Sequence, residues 1–373
     1  MFGSGDADTG PPQAGGVGDE DTRLLEEGHT VDAVADAVPR TVMVVNATTR
    51  VKGPRTPPDL CECETDRRTA GRRRPAGPGT DTEAEAMDEA RAREVLQTAG
   101  VLPGDAGDAR LLALGENAVF AAGDLAVKVG RDAELLERAR RELAVAGWLA
   151  EQGVPAVRPA VAEALLVEGH PVTVWHRLPD PVRPTEPRDL AVLLRQVHAL
   201  PPPPFALPPR ALLDGVERWL RLAGDAVDPA DAAYLRERRD GFAAAAAALT
   251  PRLPRGPVHG DALPRNVHVG PDGPVLIDLE TFSSDLREHD LVVMALSHDR
   301  YGLPDEAYAS FTETYGWDVR EWEGCAVLRG ARETASCAWV AQHAPGNPKA
   351  LAEFRRRVAS LRNGDETVRW YPF

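Results

Sequence analysis

Residues 258–269, VHGDALPRNVHV, bring together side chains whose types and spacing could do chemistry. Asp261 is followed five residues later by Asn266, and Asp278 comes twelve residues after Asn266, in the apolar run VLID. An amide oxygen and a carboxylate oxygen side by side suit a hard cation such as Mg²⁺. The remaining carboxylate can orient a hydroxyl group and take its proton. We therefore predict Asn266 and Asp278 as Mg²⁺ ligands and Asp261 as the catalytic base.

A glycine turn further upstream could approach phosphate groups. Residues 114–120, LGENAVF, are typical of a hairpin in which Gly115 lies in the turn between two strands. Backbone N–H groups at such a turn can donate to phosphate oxygens, and Asn117 adds a side-chain donor. Phosphoryl transfer needs this kind of cradle, together with a cation for the phosphates. We therefore predict that Gly115 and Asn117 contact a nucleotide.

Lys128 is the candidate for that cation. It lies in the apolar strand pattern LAVKV, and only 3 of the 43 Lys and Arg residues are lysines. A chain that uses arginine almost everywhere has a chemical reason to keep a compact ammonium group inside a strand. The ammonium needs a carboxylate to hold it, and we predict Glu142 on the following helix. The alternative is that Glu142 pairs with Arg138 or Arg141 on the helix surface.

A small sheet and a set of helices must position these residues. Before residue 178, hydrophobic periodicity predicts helices at 88–99 and 132–152 and strands at 111–114, 119–122, 125–129, 161–167 and 172–175. Beyond it, the pattern predicts helices at 187–199, 209–223, 228–249, 289–297, 304–315, 319–343 and 347–362, interrupted by one strand–turn–strand at 266–279. We therefore predict an α+β chain with a small β-rich lobe at 87–177 and a larger, mostly helical lobe at 178–373.

The first 86 residues differ from the rest in composition. They are rich in Gly, Pro, Asp, Thr and Arg, and only residues 41–45, TVMVV, indicate a strand. Too little apolar surface is available to offset the entropy of ordering, so we predict a disordered N-terminal extension over residues 1–86. Met87 opens a sequence that is typical of a protein start, and an upstream misassigned start codon is a second hypothesis.

Composition and charge argue against several classes of protein. The net charge of −15 argues against nucleic-acid binding, because phosphate contacts need a cationic face. The longest apolar run, residues 242–249, is mostly alanine and too short to cross a membrane. No signal peptide is visible, and four cysteines in a chain of this length do not indicate a disulfide framework. We expect a cytoplasmic protein that binds neither nucleic acid nor a membrane.

The ordered set of motifs resembles that of the aminoglycoside phosphotransferase family. The resemblance lies in HGD with an Asn five residues after the Asp, then IDLE, the GENAVF hairpin and the Val-Lys strand. It implies a two-lobed protein-kinase-like fold that binds ATP between the lobes and transfers phosphate to a hydroxyl of a small molecule. It also implies that Lys128 contacts the α- and β-phosphates and that the segment with Trp175 and Arg177 is the hinge under the adenine. Asp290 matches an aspartate that supports the catalytic loop.

The chain departs from the family between Asp261 and Asn266. Family members often carry LHPG there, whereas this chain has ALPR. Leu263 cannot donate to a phosphate, so a positive contact at this point would have to come from Arg265. A solvent-facing Arg265 is the alternative.

Two other functional classes stay open at this point. A pseudokinase would bind a nucleotide or a partner without catalysis, but Lys128, Asp261, Asn266 and Asp278 are all intact. A protein kinase is disfavoured, because only residues 280–289 separate the metal-site hairpin from the next helix and leave no activation segment.

The acceptor pocket is expected in the helical lobe, over residues 180–250 and 282–345. The acceptor itself is expected to be an aminoglycoside-like or amino-alcohol compound. Four acidic residues could receive its cation: Glu280, Asp285, Asp299 and Glu333. The aromatic C-terminus, RWYPF, either docks near the acceptor site or only packs against the lobe.

Overall fold

The structure is a computed structural model that describes residues 87–102 and 104–372. The disorder predicted for residues 1–86 and the strand predicted at 41–45 lie outside the described residues. The described part consists of an antiparallel sheet with two helices, followed by a helical portion that carries two short strand pairs.

Five antiparallel strands form the sheet: β1 (Arg110–Leu114), β2 (Asn117–Ala122), β3 (Leu125–Gly130), β4 (Leu165–Val167) and β5 (His170–His176). Their spatial order is β1-β2-β3-β5-β4, so β3 lies in the centre. Small and β-branched side chains let β3 be buried along nearly its whole length. The register places Val119 and Thr173 opposite Lys128, on the two neighbouring strands.

Two helices accompany the sheet, α1 (Glu89–Ala99) and α2 (Leu136–Glu151). The Asp88 side chain accepts a hydrogen bond from the Arg91 N–H and caps α1, as a short acidic side chain does at a helix start. A 3₁₀ turn capped by Asp132 leads into α2. The buried face of α2 is apolar apart from Glu142, which is 2% exposed. The helix therefore carries one carboxylate into the interior.

Seven helices follow: α3 (Pro187–Ala199), α4 (Gly215–Ala223), α5 (Pro229–Ala247), α6 (Glu288–Tyr301), α7 (Asp305–Tyr315), α8 (Cys325–Ala341) and α9 (Pro348–Arg362). Between α5 and α6, β6 (Gly256–Val258) pairs with β9 (Ser283–Asp285), and β7 (Val267–Gly270) forms a hairpin with β8 (Gly273–Leu276). Helix α8 packs against α4, α5, α6 and α9 and is the centre of this portion. No helix within the described ranges is long and apolar enough to cross a bilayer.

The helical portion differs from the prediction in two helix starts. The helix predicted from residue 209 begins at Gly215, because prolines occupy positions 208 and 209 and the Arg210 N–H donates to Asp285 Oδ2 at 3.1 Å. The helix predicted at 319–343 is divided into a 3₁₀ turn at Val319–Glu321 and α8, which begins only at Cys325.

The C-terminal tail packs into the core of the helical portion. Trp370 is 1% exposed and belongs to the same apolar cluster as Phe354 and Val358. Its indole N–H donates to Ser360 Oγ at 3.1 Å, and its backbone N–H donates to Arg300 O at 2.7 Å. Since the indole is both buried and hydrogen-bonded, the tail is a structural part of this portion.

Candidate active site

Asp290 holds the loop that follows β6. Its Oδ2 accepts the His259 N–H at 2.7 Å and its Oδ1 accepts the Gly260 N–H at 2.8 Å. His198 Nε2 lies 3.1 Å from Asp290 Oδ2. Burial opposes the ionisation of Asp290, but His198 and His259 outweigh it and keep the pKa of this carboxyl below its usual range. The aspartate therefore ties the start of α6 to the backbone of the loop.

Gly260 is required by the shape of this loop. Its φ of +84° lies in the region that side-chain-bearing residues rarely adopt. A Cβ at this position would lie 2.4 Å from the Thr281 carbonyl oxygen and 3.1 Å from Arg210 Nε. The loop can therefore make its turn before Asp261 only with glycine.

His259 connects the loop to the β7–β8 hairpin. Its Nε2 lies 3.0 Å from the Ile277 carbonyl oxygen, so this nitrogen is assigned the proton. The Asp261 N–H then donates to Nδ1 at 3.3 Å. Burial lowers the pKa of His259, which keeps the ring neutral and lets it serve both bonds.

Asp261 projects from the loop between two guanidinium groups. Arg332 Nη2 on α8 donates to Oδ1 at 2.5 Å, and Arg265 Nη2 donates to Oδ2 at 2.8 Å. Asn266 Nδ2 also donates to Oδ2, at 3.1 Å. Burial opposes ionisation, but Arg265 and Arg332 outweigh it and hold the pKa of Asp261 well below its usual range. Arg265 thus contacts the predicted base, and its side chain is not turned only to solvent.

Asn266 and Asp278 are the groups that suit a cation. Asn266 Nδ2 donates to the Asp261 carbonyl oxygen at 2.7 Å, and its Oδ1 is buried with no partner in the described part of the chain. The Ile277 N–H donates to Asn266 O at 3.0 Å. Asn266 and Asp278 therefore lie on neighbouring backbone segments. The Asp278 side chain has no hydrogen-bond or ion-pair partner within the described ranges. Burial, and next the charge of Glu280, raise the pKa of Asp278 well above its usual range.

These two residues fit Mg²⁺. A buried amide oxygen without a partner and a half-buried carboxylate beside it are hard oxygen donors. The described residues contain no group of three or more His, Cys, Asp or Glu side chains that could hold a metal ion. The protein would therefore supply few ligands, as is common for Mg²⁺ sites that are completed by water and substrate phosphates.

Lys128 lies between two carboxylates. Its Nζ is 2.9 Å from Glu142 Oε2, the partner chosen from the sequence, and it also contacts Glu280 Oε1. Lys128 is 9% exposed. Burial opposes its charge, but Glu142 and Glu280 outweigh burial and raise the pKa of the ammonium group. The lysine is therefore protonated and fixed in direction.

Glu280 joins both predicted phosphate contacts. It accepts from Asn117 Nδ2 at 2.9 Å, while Arg138 Nη2 lies 3.1 Å from its other oxygen. Burial raises its pKa, but Lys128 and Arg138 outweigh this and keep the pKa of Glu280 below its usual range. Glu280 therefore already has cationic partners of the chain, and its contact with the cation of an acceptor stays a prediction.

A cleft of about 240 Å³, a volume that includes space open to solvent, opens beside this cluster. Its lining consists of Asn117, Lys128, Gly130, Leu135, Arg138, Ala139, Glu142, Pro171, Thr173 and Glu280. Gly115 is not part of the lining. Its N–H donates to the Asn117 carbonyl oxygen at 3.0 Å and closes the turn between β1 and β2.

The hinge candidates, Trp175 and Arg177, are not part of the cleft lining. Trp175 is fully buried and its Nε1 donates to Thr173 Oγ1 at 2.9 Å. The Arg177 N–H donates to Asp124 O at 2.8 Å, and its Nη1 lies 3.3 Å from Gly123 O. Neither side chain lines the cleft, so a contact with an adenine ring at this segment would use the main chain.

The remaining acidic candidates are engaged by arginines of the chain. Asp285 pairs with Arg255, Asp299 with Arg329 and Glu333 with Arg300, each at 2.7 Å. Each of these carboxylates thus already has a cationic partner of the chain, and their contact with a cationic acceptor stays a prediction. Arg332 and Arg210 were not predicted, since nothing in their local sequence distinguishes them from the other arginines.

A five-stranded sheet with a buried Lys–Glu pair, next to an Asp loop and an Asn–Asp hairpin, defines a kinase-like phosphotransferase. Residues 103–328 match the model of the phosphotransferase enzyme family (APH). The match covers more than half of the chain, which therefore belongs to this family, that of the aminoglycoside phosphotransferases. No curated protein sequence matches the chain.

Solved structures share the fold at low sequence identity. Amicoumacin kinase hAmiN, in complex with AMP-PNP, Ca²⁺ and Ami, is 14% identical with a TM-score of 0.56, over 76% of this chain and 97% of that one. A choline/ethanolamine kinase family protein from Mesorhizobium loti is 20% identical with a TM-score of 0.50, over 74% of this chain and 99% of that one. The chain thus has the two-lobed protein-kinase-like α+β fold that its motifs predicted.

Proposed function

We propose that this protein transfers the γ-phosphoryl group of ATP, with Mg²⁺, to a hydroxyl group of a small molecule. Membership of the phosphotransferase enzyme family supports the reaction class. The observation that carries the cofactor assignment is the buried Asn266 Oδ1 without a partner, on backbone adjoining Asp278. The hAmiN complex with AMP-PNP and Ca²⁺ supports a nucleotide and a divalent cation in a protein of this fold.

In this proposal residues 87–177 form the nucleotide-binding lobe, and residues 178–373 carry the catalytic loop and the acceptor site. Lys128, oriented by Glu142, binds the nucleotide phosphates. Asn117, which lines the cleft, contacts them as well, and Gly115 closes the turn that precedes Asn117. The backbone around Trp175 and Arg177 meets the adenine.

The chemistry divides among the residues of the helical lobe. Asn266 and Asp278 hold Mg²⁺, which neutralises the developing charge on the phosphates when bound. Asp261 accepts the hydroxyl proton of the acceptor as the new P–O bond forms and the bond to ADP breaks. His259 and Asp290 keep the loop in place, so that Asp261 points at the reacting group.

The test is Mg²⁺-dependent transfer from ATP across a panel of aminoglycosides, other antibiotics, amino alcohols and hydroxy acids. Asp261→Asn is expected to lower kcat by about a hundredfold or more, with ADP affinity in calorimetry unchanged. Asp272→Asn, an exposed aspartate at the tip of the β7–β8 hairpin, is the matched control and should retain full activity. Nucleotide binding without transfer to any acceptor, and with no difference between the variants, would instead support a catalytically silent nucleotide-binding protein.

A further inference from the structure

Two guanidinium groups lie beside the catalytic loop, that of Arg332 on Asp261 and that of Arg210 on the Gly260 carbonyl oxygen. Among the described residues, Arg332 pairs only with Asp261. Arg210 lies over Gly260, where its Nε donates to the Gly260 carbonyl oxygen at 3.0 Å, and no described carboxylate forms an ion pair with its side chain. Burial, and next the charge of Arg332, lower the pKa of Arg210.

Other buried arginines of the helical lobe are arranged differently. Arg300 binds Glu333 at 2.7 Å, and Arg357 binds Glu353 at 2.8 Å. Each of these cations has its own carboxylate, as buried charges normally do. Arg210 departs from this pattern, and Arg332 has only the predicted base, Asp261, as its carboxylate partner among the described residues. Guanidinium groups beside the place where an acceptor must approach are suited to carboxylate and phosphate oxygens.

The four acids predicted to receive a cationic acceptor already have cationic partners. Glu280, Asp285, Asp299 and Glu333 are all bound by Lys or Arg side chains of the chain itself. A cationic acceptor would have to displace one of these partners. An anionic acceptor, by contrast, would not compete for these carboxylates.

We propose that Arg210 and Arg332 form an anion subsite, and that the acceptor is a small hydroxyl compound that carries a carboxylate or phosphate group. This inference rests on the proposed phosphotransferase function and assigns its substrate class. Arg332 is hydrogen-bonded to Asp261. An acceptor that places its anionic group on Arg332 and its hydroxyl on Asp261 must therefore carry the two groups only a few bonds apart.

The subsite also explains how Asp261 becomes available. Both of its carboxylate oxygens accept hydrogen bonds from arginines. When the anion of the acceptor binds Arg332, this guanidinium exchanges one anionic partner for another and Oδ1 is released. The hydroxyl of the same molecule then donates to Oδ1, so the base is uncovered only when an acceptor of the right charge is present.

Matched acceptor pairs with ATP and Mg²⁺ provide the test. Short hydroxy acids are compared with their neutral amides, glycerol phosphate with glycerol, and both sets with amino alcohols. We expect transfer to anionic members at a kcat/KM at least about tenfold above that of their neutral partners. The hydroxy acids and the glycerol phosphate separate a carboxylate site from a phosphate site.

Variants test whether Arg332 and Arg210 cause the preference for anionic acceptors. Arg332→Gln should raise the KM of the anionic acceptor at least about tenfold and abolish the preference over the neutral partner, while the KM of ATP is unchanged. Arg210→Gln should act in the same direction. Arg329→Gln, the same change one turn earlier on α8, is the control and should retain the preference. A neutral or cationic compound as the best acceptor, or an unchanged preference in Arg332→Gln, would overturn the inference.

A binding measurement separates this inference from the proposed function. With ADP filling the nucleotide cleft, the anionic compounds are titrated calorimetrically into the protein and into Arg332→Gln. Binding that Arg332→Gln removes, without transfer in the kinetic assay, would retain the anion subsite and reject the phosphotransferase. Transfer without selective binding of anions would retain the phosphotransferase and reject the subsite.

Discussion

The two lobes hold their reactive groups with opposite charges. In the sheet, one cation, Lys128, lies between the carboxylates of Glu142 and Glu280. In the helical lobe, one carboxylate, Asp261, lies between the guanidinium groups of Arg265 and Arg332. In both places a ligand must compete with the chain itself for the reactive group. In the proposed function, a ligand would therefore replace one ionic partner of Lys128 or Asp261. The strength of the replaced ion pair would then influence which ligand binds.

Burial distinguishes the two arrangements. The side chain of Glu142 is 1% exposed and that of Lys128 is 11% exposed, whereas Asp261 is 23% and Arg265 is 45% exposed. Water screens an exposed ion pair, whereas a buried charge that loses its partner stays unscreened, so removing one partner costs more stability at Lys128 than at Asp261. An exchange of partners is therefore easier at the loop than in the sheet.

Removing the buried cation of the sheet cluster should have the largest effect on stability. Lys128→Met leaves Glu142 and Glu280 buried without their shared partner, and we expect a loss of about 3–5 kcal/mol in the free energy of unfolding. Lys349→Met, at an exposed position in the first turn of α9, is the matched control and should stay within about 0.5 kcal/mol. Urea unfolding of both variants measures the difference. Equal stability of the two would contradict the role assigned to the buried cluster.

Gly260→Ala tests the shape of the loop that carries Asp261. The positive φ and the close Thr281 oxygen should together cost about 2 kcal/mol or more, and the shifted Asp261 should lower kcat. Gly241→Ala, in α5 with no neighbour within 4 Å of the added methyl group, should instead gain about 0.5–1 kcal/mol. Thermal unfolding and kcat are measured for both, and a loop that tolerates alanine would show that its shape is not constrained as described.

Asp278→Asn should stabilise the protein while abolishing transfer. The pKa of Asp278 is raised in the fold, so its ionisation destabilises the folded state as pH rises above the pKa of an unfolded Asp, about 4. In chelator-containing buffer we expect a gain of about 1 kcal/mol or more at pH 8 and almost none at pH 4. Thermal unfolding at both pH values checks this. A loss of stability at pH 8 would mean that ionised Asp278 is satisfied by the protein alone.

The two glutamates on Lys128 should have opposite effects on nucleotide affinity. Glu142→Gln loosens the lysine and should weaken ADP binding by about tenfold, the worth of one charged hydrogen bond. Glu280→Gln removes a competitor of the phosphates and should strengthen metal-free ADP binding by about threefold. Calorimetry with a chelator present measures both. Equal weakening in the two variants would indicate that both carboxylates only orient the lysine.

Local patterns were sufficient to predict most elements but not all strands. Helix α3 was predicted with its observed ends, because its apolar spacing is regular and Pro187 marks its start. The pair of β6 and β9 was missed. Its three-residue strands, GPV and SSD, contain residue types that are rare in strands and pair only through tertiary contact.

The contacts in the site, too, could be predicted only where they are local in the sequence. Glu142 could be selected as the partner of Lys128, because the two are 14 residues apart on consecutive elements. Arg332 is 71 residues from Asp261 on a helix whose path no local pattern defines, so its contact with Asp261 could not be predicted. The contact of Glu280 with Lys128 was not predicted either. Its motif does not say whether the side chain turns toward the acceptor or back to the sheet.

The scarcity of lysine has a consequence for chemical labelling. Amine-reactive reagents meet three lysines in the sequence, of which Lys349 is exposed and Lys128 lies in the cleft. An acyl-phosphate derivative of a nucleotide would deliver its acyl group to the amine beside the bound phosphates. Acylation at position 128 relative to position 349, read from two peptides by mass spectrometry, would therefore report the occupancy of the cleft inside an unfractionated cell extract.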